Sequence, residues 1–158
     1  MKLEVEVNLL ELTPTLETIL SDSGVFDNLL TDGVIVEDVL DSLREESCLI
    51  QIAVDHQFAG FFSVEDMGTF CDRRVAQVHA YIMPSHRRYS LMLLREFRNW
   101  LFSNTSFSTI VTQTTSYLPY IDRVLRLVGF KQFDTRHATH QYNGVKYDSH
   151  YHYIQNGG

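Results

Sequence analysis

The chain has 158 residues, 44% hydrophobic and 21% charged, a globular composition long enough to bury a core and sized for a single domain over residues 1–158. Its formal net charge of −7 excludes general nucleic-acid binding, which needs a clustered basic face against the phosphates. No run of about eighteen apolar residues is present, and the opening MKLEVEVNLLEL lacks the basic and apolar regions of a signal peptide, so a cytoplasmic protein without a membrane partner is expected. Cys48 and Cys71 read as two buried thiols in a reducing compartment.

Lys2–Val7 alternates charged and apolar residues, as a half-exposed strand does. Residues 9–46 turn helical: Thr13 caps a segment carrying Leu16, Ile19 and Leu20. Val25, Phe26, Leu29 and Leu30 follow, then Val36, Val39, Leu40 and Leu43, with breaks at Gly24 and Gly33. Residues 1–46 hold twelve acids against Lys2 and Arg44, whereas the rest of the chain is net +3. The acids read as solvated helix faces, and the basic remainder suits one compact anionic ligand. From Cys48 the period becomes that of strands. CLIQIAV and FAGFFSV form a hairpin around Asp55-His56-Gln57, and VAQVHAYIM follows a loop at Gly68–Arg74. Pro84 ends that strand. Ser85 then caps a helix whose stripe is Leu91, Leu94, Phe97, Trp100 and Leu101.

Residues 107–115 form a further strand. Pro119 opens a helix with the stripe Leu118, Ile121, Val124, Leu125, Val128, and Gly129 is its stop. Asn143-Gly144 is a strong hairpin signal between the last two strands. The order predicts a mixed α/β chain: a twisted sheet with helices on both faces.

The run Tyr81-Ile82-Met83-Pro84-Ser85-His86-Arg87-Arg88-Tyr89-Ser90-Leu91-Met92, followed later by a helix ending in Gly129-Phe130, resembles the GNAT N-acyltransferases. In that family a strand leads through Arg-x-x-Gly-x-Gly/Ala into a long helix. The resemblance covers the chain from about residue 47 onward and implies the acyl-CoA N-acyltransferase-like fold. It also implies acetyl-CoA as co-substrate, and transfer of its acyl group to a primary amine on a small molecule or protein. The binding residues it implies are Tyr81, Ile82 and Met83 for the thioester arm, and Arg87, Arg88, Tyr89, Ser90, Leu91 and Met92 for the pyrophosphate. The physical basis is a helix N-terminus whose free N–H groups and dipole favour phosphate, with arginine charge added. Arg87 matches the family's arginine. Arg88, Ser90 and Met92 stand where the family has glycines or small residues that let a pyrophosphate approach the backbone.

The family's tyrosine acid and upstream asparagine fall on Leu125 and Leu118. Tyr120, with Tyr117 nearby, stands in as the hydroxyl, and Glu65 and His79, with Asp66, are candidate bases. A lone histidine alternating with Gln77 and Tyr81 on a strand is more often a packed polar residue. If Tyr142 faces Val145, then His137 faces His150, and His152 and Asp148 share their face. The other face, with Tyr142, Tyr147, Tyr151 and Tyr153, reads as the buried side. Histidines with a carboxylate suit a transition metal, but the implied chemistry needs none, so a solvated strand face or part of an acceptor groove is expected. The alternative to an enzyme is a catalytically inactive GNAT-like binding or assembly module, since small domains with eroded GNAT motifs occur among bacteriophage proteins.

Overall fold

The computed structural model describes residues 3–45 and 48–157; Lys2, Glu46 and Gly158, which figured in the sequence reading, lie outside them. In chain order the elements are β1 (Val5–Leu9), α1 (Pro14–Asp22), α2 (Val36–Glu45), β2 (Cys48–Val54), β3 (Gln57–Phe70), β4 (Arg73–Ile82), α3 (Ser90–Asn104), β5 (Thr109–Thr115), α4 (Pro119–Val128), β6 (Lys131–Tyr142) and β7 (Val145–Gln155). The sheet order is β1-β2-β3-β4-β5-β7-β6. The β2–β3, β3–β4 and β6–β7 hairpins are antiparallel, as are β1–β2 and β5–β7, whereas the β4–α3–β5 crossover leaves β4 and β5 parallel at the centre.

Alternation along the strands divides the core between two faces. Ile50, Ile52, Phe62, Val64, Ala76 and Val78 pack against Leu93, Phe97 and Leu101 of α3 and Leu125 and Val128 of α4. Leu49, Phe61 and Tyr81 point the other way, onto Leu20 of α1 and Leu40 and Leu43 of α2. The buried line of α3 is therefore Leu93–Phe97–Leu101 at four-residue spacing, with Leu91, Leu94 and Trp100 half-buried beside it. Phe97 stacks on Phe62 at 3.9 Å. At the end of α4, Gly129 takes φ +113 and its N–H reaches the Leu125 and Arg126 carbonyls. Arg98 of α3 donates to Val128 O at 2.6 Å, tying the two helices together.

Several expectations are corrected. Gly68–Arg74 is not a loop: β3 and β4 continue to a two-residue turn at Cys71-Asp72, both with positive φ, and a bulge after Asp66 absorbs the extra residue. Cys71 is consequently exposed. The Val25–Leu30 stretch, isolated between Gly24 and Gly33, winds only a 3₁₀ turn at Asp27–Leu29. In the last hairpin Tyr142 does face Val145, but a bulge around Ala138 (φ +54) shifts the register, so His150 faces Thr135 instead of His137. The tyrosine side expected to be buried is only partly covered, with Tyr142 and Val145 exposed and Tyr147, Tyr151 and Tyr153 half-buried, whereas His152 on the opposite face is 3% exposed.

Candidate functional site

β4 and β5 pair only over Val75–Gln77 and Thr109–Val111, yet β4 runs on to Ile82 and β5 to Thr115. Beyond Gln77 the two strands separate. In an antiparallel ladder successive residues turn their peptide groups to alternate sides. Met83 N–H donates to Ala59 O at 2.9 Å, so Tyr81 and His79 turn theirs toward β3, and Ile82 and Ala80 turn theirs into the gap. A cavity of about 260 Å³ occupies this gap. Leu94, Phe97, Leu125 and Thr114 line it from the α3/α4 side, and Val25, Asn28 and Leu29 from the α1–α2 connection, so it is walled from both faces of the sheet.

The connection between α1 and α2 straps across the mouth. Arg87 Nη2 donates to Gly24 O at 3.0 Å, Asn28 Nδ2 donates to Tyr120 Oη at 3.1 Å, and the Tyr117 hydroxyl donates to Asn28 O. Further on, the Asp32 carboxylate accepts the Asn143 and Gly144 N–H groups at 3.0 Å each, fastening the strap to the β6–β7 turn.

The residues expected to hold a cofactor separate into three groups. Ile82, Arg87 and Ser90 line the cavity. Tyr81 stacks on Phe61 at 4.7 Å and, with Met83, packs into the α1/α2 core, so neither side chain enters the gap, and their N–H groups face β3. Arg88, Tyr89, Leu91 and Met92 line a second groove on the outside of α3, where the Arg88 guanidinium lies over the Tyr89 ring at 4.8 Å.

The turn also differs from the expected capped helix start. Pro84–Tyr89 is a 3₁₀ helix and α3 begins only at Ser90. The Ser85 hydroxyl sits 2.8 Å from His86 Nδ1, and the Ser90 hydroxyl donates to Arg87 O at 2.6 Å. His86 N–H goes to Met83 O and Ser90 N–H to Arg87 O, so these amides of the turn are satisfied internally.

Of the expected catalytic residues, His79 and Tyr120 both border the cavity, and Glu65 does not. His79 is half-buried; burial lowers its pKa and the Glu65 carboxylate partly opposes that, which keeps the imidazole neutral near pH 7. Glu65 is exposed on β3, diagonal to His79. Directly opposite His79 lies Ser63, 1% exposed, whose hydroxyl finds no partner among the described residues. Leu125 and Leu118 are apolar wall.

A second constellation escaped the sequence reading. Asp122, in the first turn of α4, is gripped by three donors from the sheet. Its Oδ1 accepts from the Thr114 hydroxyl and lies 2.9 Å from His152 Nε2, and its Oδ2 lies 2.8 Å from His150 Nδ1. Burial would raise the Asp122 pKa, but the bonds from Thr114, His150 and His152 outweigh it and hold the carboxyl below its ordinary range. Burial pushes the His152 imidazole down. His137 and Asp148, expected to share the histidine face, instead pair 3.3 Å apart at the exposed end of the hairpin. The histidines at 150 and 152 were visible as alternate residues of one strand. Their convergence on Asp122 was hidden, because it needs the hairpin folded back on α4.

The sequence pattern of the family DUF2824, described as proteins of unknown function, matches residues 25–150. The chain belongs to that family. A curated relative of the DUF2824 chain is protein p31 of Acyrthosiphon pisum secondary endosymbiont phage 1, 30% identical over 91 residues; the match spans 57% of this chain and about half of that protein (56%). Among solved structures, spermidine N-acetyltransferase from Vibrio cholerae, in complex with CoA and spermine, superposes with a TM-score of 0.74 at 12% identity, covering 96% of this chain and 95% of that one. Ribosomal-protein-alanine N-acetyltransferase from Brucella melitensis gives 0.66 at 17% identity, over 93% and 98%. The DUF2824 chain thus has the GNAT acyltransferase fold, with the parallel pair and its gap at the centre of the sheet. Among the described residues no helix is long and apolar enough to cross a membrane.

Proposed function

We propose that the gap between β4 and β5 receives the thioester arm of an acyl-coenzyme A, and that the chain transfers the acyl group, acetyl in the simplest case, to a primary amine by direct attack. The observation that carries this reading is the parallel pair that splays after three paired residues over a cavity walled from both faces. Donor and acceptor can then approach the reacting carbon from opposite sides, with no covalent enzyme intermediate. The free peptide edge of Ala80 and Ile82 would bond the extended arm as an added strand does. His79, neutral and cavity-facing, suits the base, with Glu65 acting through water, and Tyr120 offers the hydroxyl nearest the mouth.

The arm fits this site better than the pyrophosphate does. With glycines absent and the amides of the 3₁₀ turn engaged, the anion would rest on arginine side chains, Arg87 foremost and Arg88 from the flank. The acceptor is an amine of a small molecule or a protein, the classes named for the two solved relatives above.

One observation favours a second reading, a binding or assembly module without activity. The Arg87 guanidinium already serves the Gly24 carbonyl, and Leu125 puts no hydroxyl at the position where the resemblance implies one. Thermal melting with acetyl-CoA separates the two. At a hundredfold excess over Kd, native-state binding contributes about 2.7 kcal/mol, which raises the melting temperature by roughly 5–11 °C for a chain of this size. No shift at millimolar acetyl-CoA would leave the module reading. If the shift is present, Arg87→Glu removes it; an unchanged shift would mean the pyrophosphate lies elsewhere.

A further inference from the structure

Thr114 is 6% exposed and lines the cavity, and its environment decides which way its hydroxyl works. A threonine hydroxyl has one proton and two lone pairs. The proton is committed: it goes to Asp122 Oδ1, an oxygen that also lies 2.9 Å from His152 Nε2. Asp122 cannot return a proton in exchange, because His150 Nδ1 holds its other oxygen at 2.8 Å and the three bonds together favour the ionised carboxylate. One Thr114 lone pair lies beside His152 Nε2 at 3.2 Å. The other is left for the cavity. The cavity wall combines apolar Leu118, Ile121 and Leu125 with polar Thr112, Gln113 and Thr115, and the Thr114 oxygen presents an acceptor with the Asp122 carboxylate directly behind it.

We propose that Thr114 is the specificity-determining acceptor of the cavity, which takes an N–H donor of the ligand, and that Asp122, clamped by His150 and His152, is the positioning residue that fixes this polarity. The inference deepens the acyl-transfer reading of the same cavity. Two sources supply such a donor there: an amide N–H of the pantetheine arm, or the nitrogen of the acceptor amine. An ether, ester or carboxylate at the same depth would meet lone pairs with lone pairs and be rejected.

The test measures binding to the full-length chain by imidazole NMR of His150 and His152, with coenzyme A in one arm and butylammonium chloride in the other. The variants are Thr114→Val, which keeps the shape, Thr114→Ser, which keeps the hydroxyl, and Asp122→Asn, whose amide can donate to Thr114 and free its proton to point into the cavity. In at least one arm Val and Asn should weaken binding about tenfold while Ser stays within about twofold of wild type. Wild-type binding should also move the His150 and His152 signals, which a merely structural Thr114 would not do. Loss confined to coenzyme A identifies the pantetheine amide as the donor, and loss confined to butylammonium the acceptor nitrogen. Equal affinities for wild type and Thr114→Val in both arms overturn the proposal, as does binding of neither probe. If coenzyme A produces no thermal shift but butylammonium binds through Thr114, the acyl-donor reading fails and the polarity of Thr114 stands.

Discussion

Gly60 is the point at which a single methyl group would most directly disturb the site. Its φ is +154°, and a Cβ built there would meet Tyr81 O at 2.3 Å and Ile82 Cα at 2.9 Å. Both obstacles are backbone of β4, so no side chain can rotate away. Relief requires β4 to move by more than half an ångström, at the residues whose peptide groups edge the gap. Gly68 supplies the control: its φ is +91° and nothing lies within 4 Å of its virtual Cβ. Gly68→Ala should therefore cost backbone strain alone, about 1–2 kcal/mol. Gly60→Ala adds overpacking of about 1–3 kcal/mol to comparable strain, for a total of about 2–5 kcal/mol and a fall in melting temperature on the order of 10 °C. Urea unfolding of the two variants beside wild type measures the difference. If Gly60→Ala unfolds within about 0.5 kcal/mol of Gly68→Ala, the close approach of β3 to β4 does not constrain the gap and the reasoning fails.

Two further outcomes follow from the core and the buried imidazoles. Phe97→Ala removes the ring stacked on Phe62 at 3.9 Å and should cost about 3–5 kcal/mol by denaturant unfolding; a loss under about 1 kcal/mol would show that the α3 face is loosely packed. Burial lowers the pKa of both His79 and His152, so near pH 6 the unfolded chain binds more protons than the folded one, and stability rises with pH. That stability is full above about pH 6.5, the ordinary imidazole value, and is lost as pH falls from there toward the lowered folded values. Asp122, whose folded pKa is also lowered, adds a second loss below about pH 4. Urea unfolding between about pH 7.5 and pH 5 should show the first decline, and His152→Gln should flatten it; a flat profile in wild type would contradict the burial of both rings.

The crossover architecture was readable because each of its parts is local. VAQVHAYIM alternates, Pro84 stops it, the 90–104 helix has an apolar stripe and FSTIVTQTT is β-rich, so a strand–helix–strand crossover in a mixed sheet follows from local pattern. What could not be read depended on partners distant in sequence. Ser85 reads as a cap, but its hydroxyl lies 2.8 Å from His86 Nδ1 and the turn is 3₁₀. Counting outward from Asn143-Gly144 gave the correct first pairs and failed at Ala138, whose positive φ nothing in its own side chain requires. Arg87 was recognised as a cation at the right place, but the Gly24 carbonyl, 63 residues earlier, had no local signature as its partner.

Asp122 shows most sharply how a site differs from a core. It sits one residue from Ile121 and two from Val124, on a helix whose neighbouring positions are apolar wall, and stability gives it little reason to be there. An ionised carboxylate taken out of water costs several kcal/mol, and well-packed apolar replacements of a buried charged group are often neutral or stabilising. Once present, the cluster behaves as a unit, because removing one donor leaves a charge uncompensated. The position on α4 where the GNAT resemblance implies a hydroxyl is Leu125 here, one turn further along and 4% exposed. The polar groups on this side of the proposed site lie instead at the helix start and on β5, where Thr114 brings an oxygen to the cavity and Asp122 fixes its polarity. Fold likeness to acetyltransferases at 12–17% identity says nothing about that substitution. The chemistry of the cavity has to be read from Thr114, Asp122 and His79 themselves, and the binding of an N–H donor is the first question they pose.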